Sequence, residues 1–245
     1  MLEKLIAASR RMDPDTAHKV VSLSTLGVIG PRLVESGVEV STLGMRGPWS
    51  VMGGFFRLVG ELRRESIDLV HLHNLHGYWI NYPEFFLWLR ECRLPVIWTL
   101  HDCWAFTGHC AYFESAGCFK WQEECGSCPE LRSYPASLGV DASEGNRLRK
   151  ASVFGGHESM TLVSPSRWLA GLLDNSLLSK HDVRVIENDP DPRFVPRDGS
   201  VWRQNLGWSD EVVLLAVASL WDRRKGLTHL LDLAKQLRSD ERLVV

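Results

Sequence analysis

The run LPVIWTL (94–100) ends in TLHDCWAFTGHC (99–110), where two His, one Asp, two Cys and one Trp follow a stretch built for a buried strand. His101 and Asp102 are adjacent, and an imidazole beside a carboxylate can orient a hydroxyl, hydrogen-bond a polar substrate or handle a proton. The plain alternative is a strand-end His capping local backbone, with Asp102 opening a turn. Cys110, Cys118, Cys125 and Cys128 follow as C-x7-C-x6-C-x2-C. The Cys-x2-Cys pair has chelate spacing for a tetrahedral ion, and the other two cysteines would complete a structural zinc site. Partly buried free thiols, or a disulfide in an oxidising compartment, are the alternatives. A redox dithiol in CGSCP fits poorly, because FKWQEE precedes Cys125 and Pro129 follows Cys128.

Further upstream, HLHNLHG (71–77) puts His71 and His73 on one strand face and His76 in the following loop. These histidines suit the polar wall of a cleft, with His73 in reach of a ligand; a metal set is the weaker reading. Asn74 and Gly77 would shape the adjoining pocket. Near the other end, Arg224 and Lys225 precede Gly226 and the helical pattern KGLTHLLDLAKQL. A helix N-terminus favours anions, so two cations there would make a diphosphate cradle, against the plain reading of a solvated basic turn. Ser164 and Ser166, either side of Pro165, predict an N-cap for SRWLAGLL.

These residues need elements to hold them. Apolar runs recur at 18–23, 38–43, 67–73, 94–100, 160–165, 183–188, 211–220 and 242–245, with helical patterns at 1–11, 30–36, 52–66, 81–92, 165–174 and 226–238. Several runs are apolar on successive residues, as in strands covered on both faces. The alternation predicts an α/β fold, a Rossmann-like doubly wound parallel sheet. Ligands of such sheets sit outside the carboxyl ends of strands, which is where His101 falls. In FFRLVGELRRES, Phe55, Phe56, Val59 and Leu62 are expected to pack on the sheet. DPDPRFVPRDGS reads as a connector, so the expected organisation is a domain over 1–188, a linker at 189–200 and a second domain starting within 201–245. The stretch 101–140, with few aliphatic residues, is expected to have little core of its own, which is one reason to look for a metal staple.

Composition removes several classes. With 44% hydrophobic and 24% charged residues the 245-residue chain is an ordinary globular one. A net charge of −2 gives no overall basic field, so no nucleic-acid partner is expected. No apolar run reaches the roughly 18 residues a spanning helix needs. MLEKLIAASRRMD reads as an amphipathic helix rather than an export signal, so a cytoplasmic protein with reduced cysteines is expected. An NAD-dependent enzyme is disfavoured, since there is no Gly-x-Gly-x-x-Gly loop.

The segments HLHNLHGYW, PVIWTLHDCWAFTGHCAYF, GCFKWQEECGSCP, VSPSRWLAG, VIENDPDPRFVP and WDRRKGL, in this order, resemble family 4 (group 1) glycosyltransferases of the GT-B fold, in the branch that makes bacterial exopolysaccharide and capsule sugars. The resemblance covers roughly residues 67–235. It implies two Rossmann-like domains across a cleft, an N-terminal one for the acceptor and a C-terminal one for a nucleotide sugar. It also implies transfer of a hexose with retention, without a catalytic metal, to a glycan or lipid-linked saccharide. By the same resemblance His101 contacts the donor sugar and Asp102 orients the imidazole or the acceptor. Arg224, Lys225 and Gly226 would hold the diphosphate, and His73, Asn74, Gly77, Ser164 and Ser166 would line the acceptor side. Such a transfer builds positive charge on the ring and negative charge on the departing diphosphate, which suits polar groups at one and cations at the other.

Three departures shape the expectation. The family's Glu-x7-Glu motif has no counterpart in 211–245, its Asn-Gly-Ile-Asp hinge is replaced by NDPD, and Ser219 stands where several relatives carry Arg. The chain therefore reads as an acceptor domain plus the first βαβ of a donor domain, a fragment not expected to transfer sugar alone. The alternative is a non-catalytic glycan-binding module or zinc-stapled scaffold. A lipid-linked acceptor would bring peripheral membrane contact, for which Arg57, Arg63 and Arg64 offer modest attraction.

Overall fold

The computed structural model describes residues 2–45, 51–76, 80–137, 139–190, 194–222 and 224–245, without the side chains of 51, 52 and 55. The chain divides into two compact units, Met1–Asp189 and Pro190–Val245.

In the first unit, α1 (Leu2–Met12), β1 (Lys19–Ser22), α2 (Gly30–Glu35), β2 (Glu39–Thr42), α3 (Val51–Arg64), β3 (Val70–Leu72), α4 (Tyr82–Glu91) and β4 (Val96–Thr99) follow one another. After a long segment come α5 (Ser143–Gly155), β5 (Met160–Ser164), α6 (Arg167–Leu173) and β6 (Asp182–Val185). Every strand pairing is parallel. β1 pairs with β2, and the main sheet runs β3-β4-β5-β6 in sequence order. This is the expected α/β architecture, and parallel pairing puts the carboxyl ends of β3 to β6 along one edge. Lys19 on β1 lies 2.6 Å from Glu39 of β2, and 3.3 and 3.0 Å from Glu61 and Glu65, tying the β1–β2 pair to α3 and its end.

The strands form where apolar residues are consecutive and buried on both faces. Val96, Trp98, Met160 and Leu162 are almost fully covered, as are Phe85, Phe86 and Leu89 of α4. On α3 the expected stripe is shifted: Leu58 and Val59 are buried, Leu62 packs at the core margin, but Phe56 is 67% exposed. At 3.6 residues per turn Phe56 falls outside the inward arc that Leu58, Val59 and Leu62 define.

Two features of the first unit differ from expectation. The stretch 101–140 does have a core. Trp104, Phe106, Ala111, Phe113 and Trp121 are buried within the main hydrophobic cluster, and Phe106 and Phe113 meet the Trp121 ring at centroid distances of 5.0 and 5.2 Å. Aromatic rings supply here the apolar area that aliphatic residues do not. Secondly, α5 is an additional helix, and it grips this stretch through polar groups. Its buried Lys150 donates to the carbonyls of Trp104 at 2.6 Å and Thr107 at 2.9 Å and stands 3.6 Å from the Trp104 ring centroid. Arg147 donates to the carbonyls of Trp121 and Gln122 at 2.9 and 3.0 Å. Gly108 packs so closely on the start of α5 that a Cβ there would overlap the Ser143 carbonyl oxygen and lie 2.8 Å from the Cβ of Cys125.

The second unit contains α7 (Ser200–Asn205), β7 (Val212–Leu215), α8 (Leu227–Ala234) and β8 (Glu241–Val244), with β7 and β8 parallel. α7 begins where the connector was expected to end. Arg242 joins the strands to Glu211 at 3.2 Å.

Candidate active site

His101 lies one residue beyond Leu100, whose amide still donates to Val163 of β5. The imidazole is exposed and its Nε2 stands 3.0 Å from Nδ1 of His73, which follows the end of β3. His71 stacks on His73 with centroids 4.6 Å apart, and His73 on His101 at 5.3 Å. His71 Nε2 meets the Thr99 hydroxyl at 2.8 Å, and Trp98 Nε1 donates to the His73 carbonyl at 2.9 Å. β3 and β4 pair with His71 opposite Ile97, so the sheet itself delivers these rings to one place.

Burial, followed by the charges of His71 and His101, pushes His73 down to about 4. His71 and His101 are also lowered, chiefly by the protein mass around them, although Asp102 works in the opposite direction on His101. At neutral pH these three imidazoles are uncharged. A neutral His101 offers a hydrogen-bond donor or acceptor to a polar ligand rather than a charge.

Asp102 faces away from that role. Its side chain is 8% exposed, one oxygen accepts from the Trp104 amide at 2.9 Å, and the other lies 2.6 Å from His76 Nε2. His76 Nδ1 meets the Tyr134 hydroxyl at 2.9 Å. Asp102 therefore orients a different imidazole from its neighbour's. His73, Asn74, His76, His101 and Asp102 line one small pocket with Trp98 and Trp104. Gly77 lies outside the described residues. Ser164 and Ser166 are not part of the pocket lining. The Ser164 hydroxyl donates to the Ser166 carbonyl at 2.8 Å, and Ser166 Oγ accepts from the Leu169 amide as the N-cap of α6. Both hydroxyls are engaged in the capping read from sequence.

His76 lines the pocket as the sequence reading of a histidine cleft wall expected, whereas its partner Tyr134 and the buried Lys150 beneath Trp104 were not singled out from sequence. The signal for His76 was available in part: HLHNLH and LHD follow neighbouring apolar runs, and parallel neighbours bring such ends together.

Cys110, Cys118, Cys125 and Cys128 surround one cavity of about 20 Å³ with Gly108, His109 and Trp121. All four are free, and burial pushes Cys110 up to about 12 and raises Cys125 and Cys128. Raised values keep these groups as thiols and argue against a reactive redox pair. Among the described residues no three His, Cys, Asp or Glu side chains converge as a metal-holding group.

In the second unit Gly226, at φ 78°, precedes α8 in the left-handed conformation that suits glycine. Lys225 donates its amide to Asp222 Oδ1 at 2.8 Å, and Arg224 lies 3.8 Å from the other Asp222 oxygen. Both cationic side chains are exposed. Among the described residues no helix is long and apolar enough to cross a membrane.

The family model described as Glycosyltransferase Family 4 matches residues 6–188, well over half of the chain. A putative colanic acid biosynthesis glycosyl transferase of Escherichia coli (strain K12), WcaC, is 31% identical over 151 residues, covering 58% of this chain and 36% of its own length. The chain thus spans about a third of that curated relative.

Proposed function

The chain belongs to glycosyltransferase family 4, and on that premise we propose that it serves a retaining transfer of a hexose from a nucleotide sugar to a glycan or lipid-linked saccharide in surface polysaccharide synthesis. The observation that carries the reading is the exposed, uncharged His101 at the carboxyl end of β4, backed by His73 at 3.0 Å. A hexose presents hydroxyls, and a neutral imidazole hydrogen-bonds them without trapping the departing anion. In this reading His101 touches the donor sugar, and His73 and Asn74 border the acceptor. The exposed Arg224 and Lys225, with the α8 N-terminus, neutralise charge growing on the diphosphate. The relative's association with colanic acid, itself a polysaccharide, supports the substrate class. Its place of action is the cytoplasmic side of the membrane, where nucleotide sugars and lipid-linked saccharides meet.

An assay of the complete natural protein with nucleotide-hexose donors and saccharide or lipid-linked acceptors tests the reading. Transfer with retained anomeric configuration is expected, and His101→Ala should cut turnover by about 100-fold or more, far beyond the small fall in denaturation midpoint from losing its contact with His73. Glycan binding by a folded protein that transfers nothing would instead identify a binding module.

A further inference from the structure

We propose that His76 is a positioning residue for the transfer, clamped between Asp102 and Tyr134 so that it fixes how the following strand's loop presents His101 to the sugar. The proposal rests on the transferase reading.

Two loops meet at this imidazole: the loop after β3 carries His76, and the long stretch after β4 supplies Asp102 from its start and Tyr134 from beyond its cysteines. His76 is 7% exposed, with Trp104 and Tyr134 rings at centroid distances of 5.8 and 5.1 Å. For a neutral ring one arrangement of protons suits these contacts. A carboxylate only accepts, so with Asp102 Oδ2 2.6 Å from His76 Nε2 the proton at that close contact belongs to the ring. Nδ1 then accepts the Tyr134 hydroxyl proton at 2.9 Å. Tyr134 thereby selects the tautomer, and the tautomer keeps the proton on the nitrogen that lies against Asp102.

Asp102 has no spare oxygen, since Oδ1 closes the turn at the Trp104 amide. That turn begins at the residue after His101. Removing His76 leaves a buried carboxylate without its partner, a costly state that the chain relieves by opening the turn. The backbone of His101 is then released, while the 3.0 Å contact and the stacking with His73 still hold the ring. His76 thus acts through Asp102, touches no substrate, and ties the far end of the stretch after β4 to the site through Tyr134.

The test is kinetic and spectroscopic, on the complete protein carrying His76→Ala, His76→Gln or Tyr134→Phe. His76→Ala is expected to lower kcat by about 10- to 100-fold with donor KM within about twofold, and Gln, which keeps a donor, to recover part of the loss. Nitrogen-15 spectra of the histidine rings should show His76 protonated at Nε2, a mixture of tautomers in Tyr134→Phe, and a displaced His101 signal in His76→Ala. A folded His76→Ala protein with unchanged kcat, or a His76 proton on Nδ1, overturns the proposal, and the spectra decide this even where the Ala variant folds poorly. A wild-type protein that transfers no sugar overturns the transferase reading itself, while the ring signals separately report whether the clamp exists.

Discussion

His73 Nδ1 and His101 Nε2 lie 3.0 Å apart, so each ring spends a nitrogen on the other and a single proton lies between them. The pair holds one hydrogen bond while both rings are neutral; a proton on each would set two donors against one another.

This gives the acid limb of stability a definite sign. His73 is held at about 4, and His71, His101, His109, His157 and His181 are also lowered, with burial as the leading cause. In the unfolded chain a histidine titrates near about 6.5. The unfolded state therefore takes up protons first, so the stability these groups allow is intact above about pH 6.5 and drains away as pH falls toward about 4. Denaturation midpoints measured across that window should decline steadily, and His73→Asn should flatten part of the slope. A midpoint constant down to about pH 4.5 would contradict the neutral cluster.

Lys150 is predicted to be worth more than its charge. Lys150→Met keeps the length but leaves the carbonyls of Trp104 and Thr107 without their donor, at a cost of about 2–4 kcal/mol in chemical denaturation. Burial lowers Lys150 to about 7, far below the roughly 10.4 of an unfolded lysine. Stability from this group therefore rises as pH climbs from about 7. Burial also raises Cys110 to about 12, so folded thiols oppose the rise above about pH 8.5, where unfolded cysteines ionise. The methionine variant should lose the rise between those values and keep the decline above them.

At the other unit, Lys225→Ala is expected to raise the donor KM by about tenfold and leave the denaturation midpoint unchanged, since the side chain is exposed. Isothermal titration with a nucleoside diphosphate checks the same point without turnover. Unaltered affinity would assign the lysine to a solvated turn.

A structural zinc at Cys110, Cys118, Cys125 and Cys128 would require their side chains to rotate from the present arrangement onto a common point beside the cavity they line. Metal analysis of protein purified under reducing conditions should then give about one zinc per chain, and loading should release thiol protons. A content well below that retires the site and leaves four thiols beside an aromatic core.

The strands could be read directly, because Val96–Thr99 and Met160–Ser164 are runs whose residues are covered on both faces. Their parallel edge, and His101 upon it, followed from alternation with helices. α5 was not readable by the same rule. Its inward residues are Ser143, Lys150 and Phe154, so a helical stripe of apolar residues never appears in SEGNRLRKASVFG. Likewise the stretch after β4 reads as loop because its core is made of scattered aromatics at irregular spacing, with no period to count. The pairing of Asp102 with His76 instead of His101 depends on which way a carboxylate turns between two strand ends, and adjacency in sequence points to the wrong partner.

Gly108 leaves room for a hydrogen and nothing larger against the first residue of α5. Two parts of the chain that are distant in sequence are thereby bound to a shared history: a bulkier residue at one can be accepted only with a retreat of the other. A chimera whose grafted cysteine-bearing stretch carries a larger residue in place of this glycine would collide with the backbone carbonyl that opens α5 unless that helix moves away.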